Sequence, residues 1–220
     1  MPDARVVDKY NAGNALVAKK EYAKAARCYE EAITIDPEFA SAWLNLGNAR
    51  QALKDVAGAI AAFEKTLEID PRNTNAHFNM GNALAARKDW DQAASAFQAV
   101  VDIDPKHARA WYNIGQILQD ASDLPGVIDA YQNAVAADAK AWPAWFKLGA
   151  ALAMNEDYTG AEEAFKKAIA LNPNNVDIIT GLAKILENSG QDKEAMYFWH
   201  RAADLGHEGA KEKVKKEMER

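Results

Sequence analysis

Apolar residues recur along this chain at intervals of three and four, with polar and charged residues between them. Over residues 42–71, Trp43, Leu46 and Gly47 fall on one face of a helix, and Ala59, Ile60, Phe63 and Leu67 fall on one face of a second. That spacing predicts two amphipathic helices rather than strands, which would alternate every second residue. Asp70-Pro71 ends the second helix, because the residue before a proline is pushed out of the helical region. The same pattern returns at a fixed step of 34 residues, the mark of a helical repeat array. A lone helix pair cannot bury its apolar face, so neighbouring pairs are expected to stack.

Setting the prolines in register gives six units at about residues 6–39, 40–73, 74–107, 108–141, 142–175 and 176–207. Gly13, Gly47, Gly81, Gly115 and Gly149 share one place, with Ala183 in the sixth unit. Ala25, Ala59, Ala93, Val127, Ala161 and Ala195 share a second, and Tyr29, Phe63, Phe97, Tyr131, Phe165 and Trp199 a third. Pro37, Pro71, Pro105 and Pro173 close four units. The glycine is expected to face the alanine, letting the two helices approach, with the ring beside that contact. This register resembles the tetratricopeptide repeat (TPR) family, whose signature is W-x2-L-G-x2-Y…A-x3-F…P. The resemblance implies an all-α, right-handed superhelical solenoid of stacked antiparallel helix pairs, in one domain spanning residues 1–220.

Departures from the register are informative. His77 stands where unit three would have tryptophan, and is expected to pack. Unit four has the turn SDLPG at residues 122–126 and lacks its closing proline, reading DAKAWP at 138–143. Pro143 lies one residue into unit five, so the junction of units four and five is expected to be the least rigid or most re-angled. Unit six ends AADLGHEGAK, which is similar to Sel1-like repeats. Residues 208–220, with Ala210, Val214 and Met218 at four-residue spacing, read as a helix capping the open end. A partner-binding amphipathic helix is the alternative.

Net charge is −6, from 32 acidic and 26 basic residues mixed along the chain. Nucleic-acid binding needs a basic stripe, and none is evident. Apolar runs are too short to span a bilayer. The start lacks a basic-then-apolar signal, so a cytoplasmic location is expected. The single cysteine, Cys28, allows no internal disulfide and fits a reducing compartment. His77, His107, His200 and His207 form no metal-binding spacing, and no nucleophile, phosphate-loop or dinucleotide motif is present. No enzyme activity, metal or cofactor is expected.

If the resemblance extends to the groove, it implies that the second, fifth, sixth, ninth, twelfth and thirteenth residues of each unit line the concave side. The sixth place holds Asn11, Asn45, Asn79 and Asn113, then Lys147. The ninth holds Asn14, Asn48 and Asn82, then Gln116 and Ala150. An asparagine amide both donates and accepts, so an even series of them suits a peptide main chain. The superhelical part of O-GlcNAc transferase carries such a ladder. The fifth place holds Tyr10, Leu44, Phe78, Tyr112 and Phe146, an aromatic stripe for apolar side chains. Within these places in the first five units only Arg109, Asp120 and Lys147 are charged, against 26% of the whole chain.

Family members that hold acidic chaperone tails use a carboxylate clamp. Asn48, Asn79 and Arg109 fit three of its places, but Leu44 and Asn113 stand where basic residues belong. The next frame, Asn82, Asn113 and Lys147, is broken by Phe78 and Pro143. That ligand is not expected. Asparagine near a helix start also satisfies local backbone groups, which is the plainer account of the ladder. The function expected is an adaptor that binds an extended or helical segment of another protein. A self-associating assembly module and a regulatory subunit of a separately encoded enzyme are the alternatives.

Overall fold

Helix boundaries in this protein are set by short polar residues and by one recurrent turn. The computed structural model describes residues 3–120 and 123–219, with the backbone alone for Asp120. Its helices, in order, are α1 (Ala4–Ala18), α2 (Tyr22–Ile35), α3 (Ala40–Ala52), α4 (Val56–Ile69), α5 (Thr74–Ala86), α6 (Trp90–Ile103) and α7 (Ala108–Asp120). They continue as α8 (Leu124–Ala137), α9 (Trp142–Met154), α10 (Tyr158–Leu171), α11 (Val176–Asn188), α12 (Asp192–Asp204) and α13 (Glu208–Met218). Among the described residues there is no strand. The fold is all-α, built of stacked antiparallel helix pairs. It divides into two compact halves, an N-terminal one (Met1–Pro105) with α1–α6 and a C-terminal one (Lys106–Arg220) with α7–α13.

Carboxylates and amides start many of the helices. Asp55, Asp123 and Asp157 accept the backbone N–H of Gly58, Gly126 and Gly160, and Asn73 and Asn175 accept those of Ala76 and Ile178. Each supplies one partner for the orphan donors of a helix start. Asp36, Asp70 and Asp138 end α2, α4 and α8 with φ of −135°, −128° and −137°. Their carboxylates then accept the N–H of Glu38, Arg72 and Lys140. Asp138 makes this turn with no proline after it, and α9 starts on the same 34-residue step as α3, α5 and α11. Pro143 sits in the first turn of α9, where its missing N–H costs nothing. The turn between units four and five thus keeps the helix boundaries of its counterparts, closed by the aspartate without the proline. The Ser122 end of the SDLPG turn, and Arg220 beyond α13, lie outside the described residues.

Within each pair the two helices meet over a ring. A Cβ placed on Gly47 would lie 2.4 Å from Phe63 Cε1, and one on Gly13 would lie 2.5 Å from Tyr29 Cε1. Gly81 and Gly115 face Phe97 and Tyr131 in the same way, at 2.7 Å each. The glycine thus opposes the aromatic ring itself, not the alanine four residues earlier. The rings of units one, three, four and five are also met by the fifth-place aromatic of their own unit. Tyr10–Tyr29, Phe78–Phe97, Tyr112–Tyr131 and Phe146–Phe165 have centroids 5.6–5.9 Å apart.

The fourth-place residue ties each pair to the turn before it. Trp43 Nε1 donates to the Pro37 carbonyl at 2.8 Å, and Trp145 Nε1 to the Ala139 carbonyl at 3.0 Å. His77 replaces this with Nε2 at 3.0 Å from the Pro71 carbonyl. A carbonyl only accepts, so Nε2 carries a proton, and Nδ1, an acceptor in the neutral ring, is buried without a partner among the described residues.

The C-terminal half ends in a tether. Trp199 Nε1 donates to Glu187 at 3.0 Å, and Lys213 of α13 donates to the same carboxylate at 2.6 Å while lying over the Trp199 ring. Ala210 of α13 is fully buried. This is the capping helix, seated by a charged contact and a buried alanine.

Candidate functional site

The first helices of the N-terminal half carry asparagines that reach from one helix to the next. Asn45 of α3 donates both amide hydrogens, to Tyr10 Oη at 3.1 Å and to Asn14 Oδ1 at 3.0 Å, both on α1. Asn14 Oδ1 also accepts from the Tyr29 hydroxyl at 2.8 Å. One step on, Asn79 of α5 donates to Asn48 Oδ1 of α3 at 2.8 Å. In both cases the sixth-place asparagine reaches the ninth-place asparagine of the preceding unit, 31 residues earlier. The helical repeat brings these places side by side, and the short amide spans the gap.

Among the described residues this arrangement leaves a defined set of groups unspent. Asn45 has spent both donors and keeps its carbonyl oxygen; Asn48 keeps its two N–H groups; Asn79 keeps one N–H and its oxygen. Asn11 and Asn48 are exposed, and Tyr10, Asn45, Asn79 and Asn82 are half-buried. The Tyr29 hydroxyl is pushed up to about 12 by burial and by Tyr10 beside it, so it stays protonated and donating at neutral pH.

Phe78 departs from the expectation of an open aromatic stripe. It is 7% exposed, because its ring is committed to Phe97. Tyr10, Tyr112 and Phe146 are half-buried, each against a core ring at an interplanar angle of 50°, 54° and 68° respectively.

In the C-terminal half, Arg109 is exposed on α7, Tyr112 and Asn113 are half-buried on α7, and Phe146 and Lys147 are half-buried on α9. The side chain of Asp120 lies outside the described residues. From α9 to α11 the series of amides gives way to Lys147, Ala150 and Gly181, and a Cβ on Gly181 would lie 2.7 Å from Phe165 Cε1. Burial pushes the Tyr112 and Tyr131 hydroxyls up. Tyr131 donates to Gln119 at 3.3 Å in place of an asparagine.

One partner in the N-terminal network, the Tyr29 hydroxyl, stands outside the places that sequence reading assigns to the groove. The signal for it is a coincidence of register. Tyrosine replaces phenylalanine at the ring place in unit one, where the ninth place is asparagine.

Two further concave features lie elsewhere. One, of about 570 Å³, lies between α4 and α6 with α5 as its floor. The other, of about 840 Å³, lies between α12 and α13 and is mostly polar, with Glu187, Asp192, Lys213 and Glu217 among its lining. No helix among the described residues is long and apolar enough to cross a membrane.

Comparison with known proteins agrees with the repeat fold. A TPR repeat model matches residues 13–54, and tetratricopeptide repeat models match 50–117, 84–152, 142–175 and 164–197. No curated protein matches. Among solved structures, MamA is 25% identical with a TM-score of 0.68, the match covering 76% of this chain and 97% of that one. YrrB, described as a TPR protein with an unusual peptide-binding site, is 20% identical with a TM-score of 0.76, covering 87% and 99%. Pseudomonas aeruginosa PilF is 15% identical with a TM-score of 0.77, covering 98% and 99%. At these last two identities the likeness is one of fold.

Proposed function

Because the chain belongs to the tetratricopeptide repeat family, we propose that it is a non-enzymatic scaffold holding a segment of another protein along the first-helix face of the N-terminal half. The observation that carries this reading is the chain of amide contacts through Asn14, Asn45, Asn48 and Asn79, with its unspent donors and acceptors. An extended or helical segment crossing α1, α3 and α5 would meet Asn11 and Asn48 in the open, then Asn45 and Asn79, with Tyr10 at its edge. In the C-terminal half, Arg109, Tyr112, Asn113, Phe146 and Lys147 would supply a more charged surface. The reading places the protein in the cytoplasm, with Cys28 reduced.

A photo-crosslinking amino acid at Asn11, compared with one at Glu163 on α10, tests the reading in the source cell. The expected result is one dominant adduct with another protein from the Asn11 position, competed away by unlabelled chain. Adducts with the chain itself alone would favour self-association, and equal yields from Glu163 would remove the first-helix face from the account.

A further inference from the structure

The cavity between α4 and α6 has a counterpart one repeat earlier, between α2 and α4, and the two are lined differently. There Trp43 holds the place on α3 that His77 holds on α5, and Arg50 of α3 donates to Glu30 Oε1 on α2 at 2.9 Å and to the Gly58 carbonyl on α4 at 3.2 Å. Stepping forward by one repeat replaces Trp43 with His77, Arg50 with Leu84 and Gly58 with Gln92, while Glu30 becomes Glu64. Arg27 and Lys65 become Ala61 and Ala99. The later groove therefore lacks both the indole and the bridging cation, and a cavity of about 570 Å³ is left there.

Beside Gln92 and Ser95, what remains in that lining includes a carboxylate without the cation its counterpart has. Among the described residues, Glu64 on the rim has no ion pair, whereas Glu30 has Arg50. His77 Nδ1, deep in the floor, is a buried acceptor with no partner among them either. Arg87, the cation on the rim, is paired with Asp89. The walls, Ile60, Ala61, Met80, Leu84 and Ala96, are apolar.

We propose that this groove on the second-helix side of the N-terminal half is a docking site for an arginine side chain presented by a partner protein. The aliphatic stem packs against Met80 and Leu84, and the guanidinium meets Glu64. The earlier groove shows the same chemistry within the chain itself, with Arg50 as the occupant. Charge complementarity selects the guest: an apolar slot with one free carboxylate favours a cation with a long apolar stem. This site lies on different helix faces from the amides of the first-helix site and stands or falls separately.

The test uses the full chain and two peptides, acetyl-Ala-Arg-Ala-amide and the same peptide with neutral citrulline, titrated by NMR. The arginine peptide should shift the signals of Glu64, His77, Met80 and Ala99 saturably. Citrulline should bind about fivefold more weakly, the fold-change expected when one charge-assisted contact is lost. Glu64→Gln should weaken the arginine peptide by about the same factor. The double variant His77→Trp with Leu84→Arg, which rebuilds the earlier groove, should abolish the shifts while helix content is kept. Absence of saturable shifts at these residues, equal binding of citrulline, or shifts confined to Asn11, Asn48 and Asn79 would overturn the proposal. Shifts that grow with chain concentration and no peptide would overturn it in favour of a second copy as the occupant.

Discussion

The first-helix faces of the two halves are built on one backbone repeat and are chemically unlike. In the N-terminal half the sixth and ninth places hold asparagines, and successive first helices are linked by side-chain hydrogen bonds that Asn45 donates to Asn14 and Asn79 donates to Asn48. In the later part of the C-terminal half those places hold Lys147, Ala150, Gly181 and Lys184, and cohesion comes from buried apolar residues. Ile178, Ile179, Leu182, Ala183 and Leu186 of α11 are all fully buried. The helical pair tolerates either solution, because its own stability rests on the ring beneath the glycine. A polar first-helix face is therefore not required by the fold. Its presence in the N-terminal half is a property available for recognition.

The largest expected effect tests what the halves share. Gly47→Ala would press a methyl group into the Phe63 ring, and overpacking of this kind costs about 1–3 kcal/mol. At Gly149 the nearest ring atom is 3.0 Å from the position a Cβ would take, so Gly149→Ala should cost clearly less. Urea unfolding of the two variants reads the difference; equal losses would mean that ring opposition does not distinguish the pairs.

Next comes the polar face itself. Asn45→Ala removes two donated hydrogen bonds and should cost about 1–2 kcal/mol. Lys147→Ala, at the same place in unit five, should leave the unfolding midpoint unchanged. A comparable loss at both positions would erase the contrast between halves.

Alkaline pH sharpens it further. Burial raises the folded-state Tyr29 hydroxyl from 10.0 to about 12, so the unfolded chain loses that proton first. The stability this group contributes is fully present below pH 10 and is lost as pH rises through about 12. Tyr131 shifts in the same direction, so Tyr29→Phe should remove only part of the alkaline loss. A midpoint that is flat over that window would contradict the buried, donating hydroxyl.

The smallest effect concerns the tight turn inside each pair. Lys20, Lys54, Lys88 and Glu156 are left-handed, with φ between 61° and 68°, where Gly190 stands in unit six. Lys54→Gly relieves that strain but loosens the unfolded chain, so a net gain of only about a few tenths of a kcal/mol is expected in thermal melts.

Much of this is legible in the chain. The 34-residue step locates every helix pair, because glycine, ring and closing aspartate each sit at a fixed place in the packing. It also puts Asn45, Asn48 and Asn79 on one face. Which groups those amides bond is not readable, since Asn14 and Asn45 lie 31 residues apart and meet only when rotamers on two helices converge. Phe78 misleads because a half-apolar place can hold a ring that turns inward. The lysines in left-handed turns carry no signal, as lysine has no preference for that conformation, and the packing on either side sustains it. Asp138, which closes its helix without proline, shows that the aspartate carries the turn.

The most direct measurement is a calorimetric titration of the crosslinked partner segment against the chain and its Asn48→Ala and Asn79→Ala variants. Each substitution should weaken binding about fivefold, near 1 kcal/mol, with helix content kept. Full affinity in the variant carrying both alanines would contradict the assignment of recognition to this amide-bearing face.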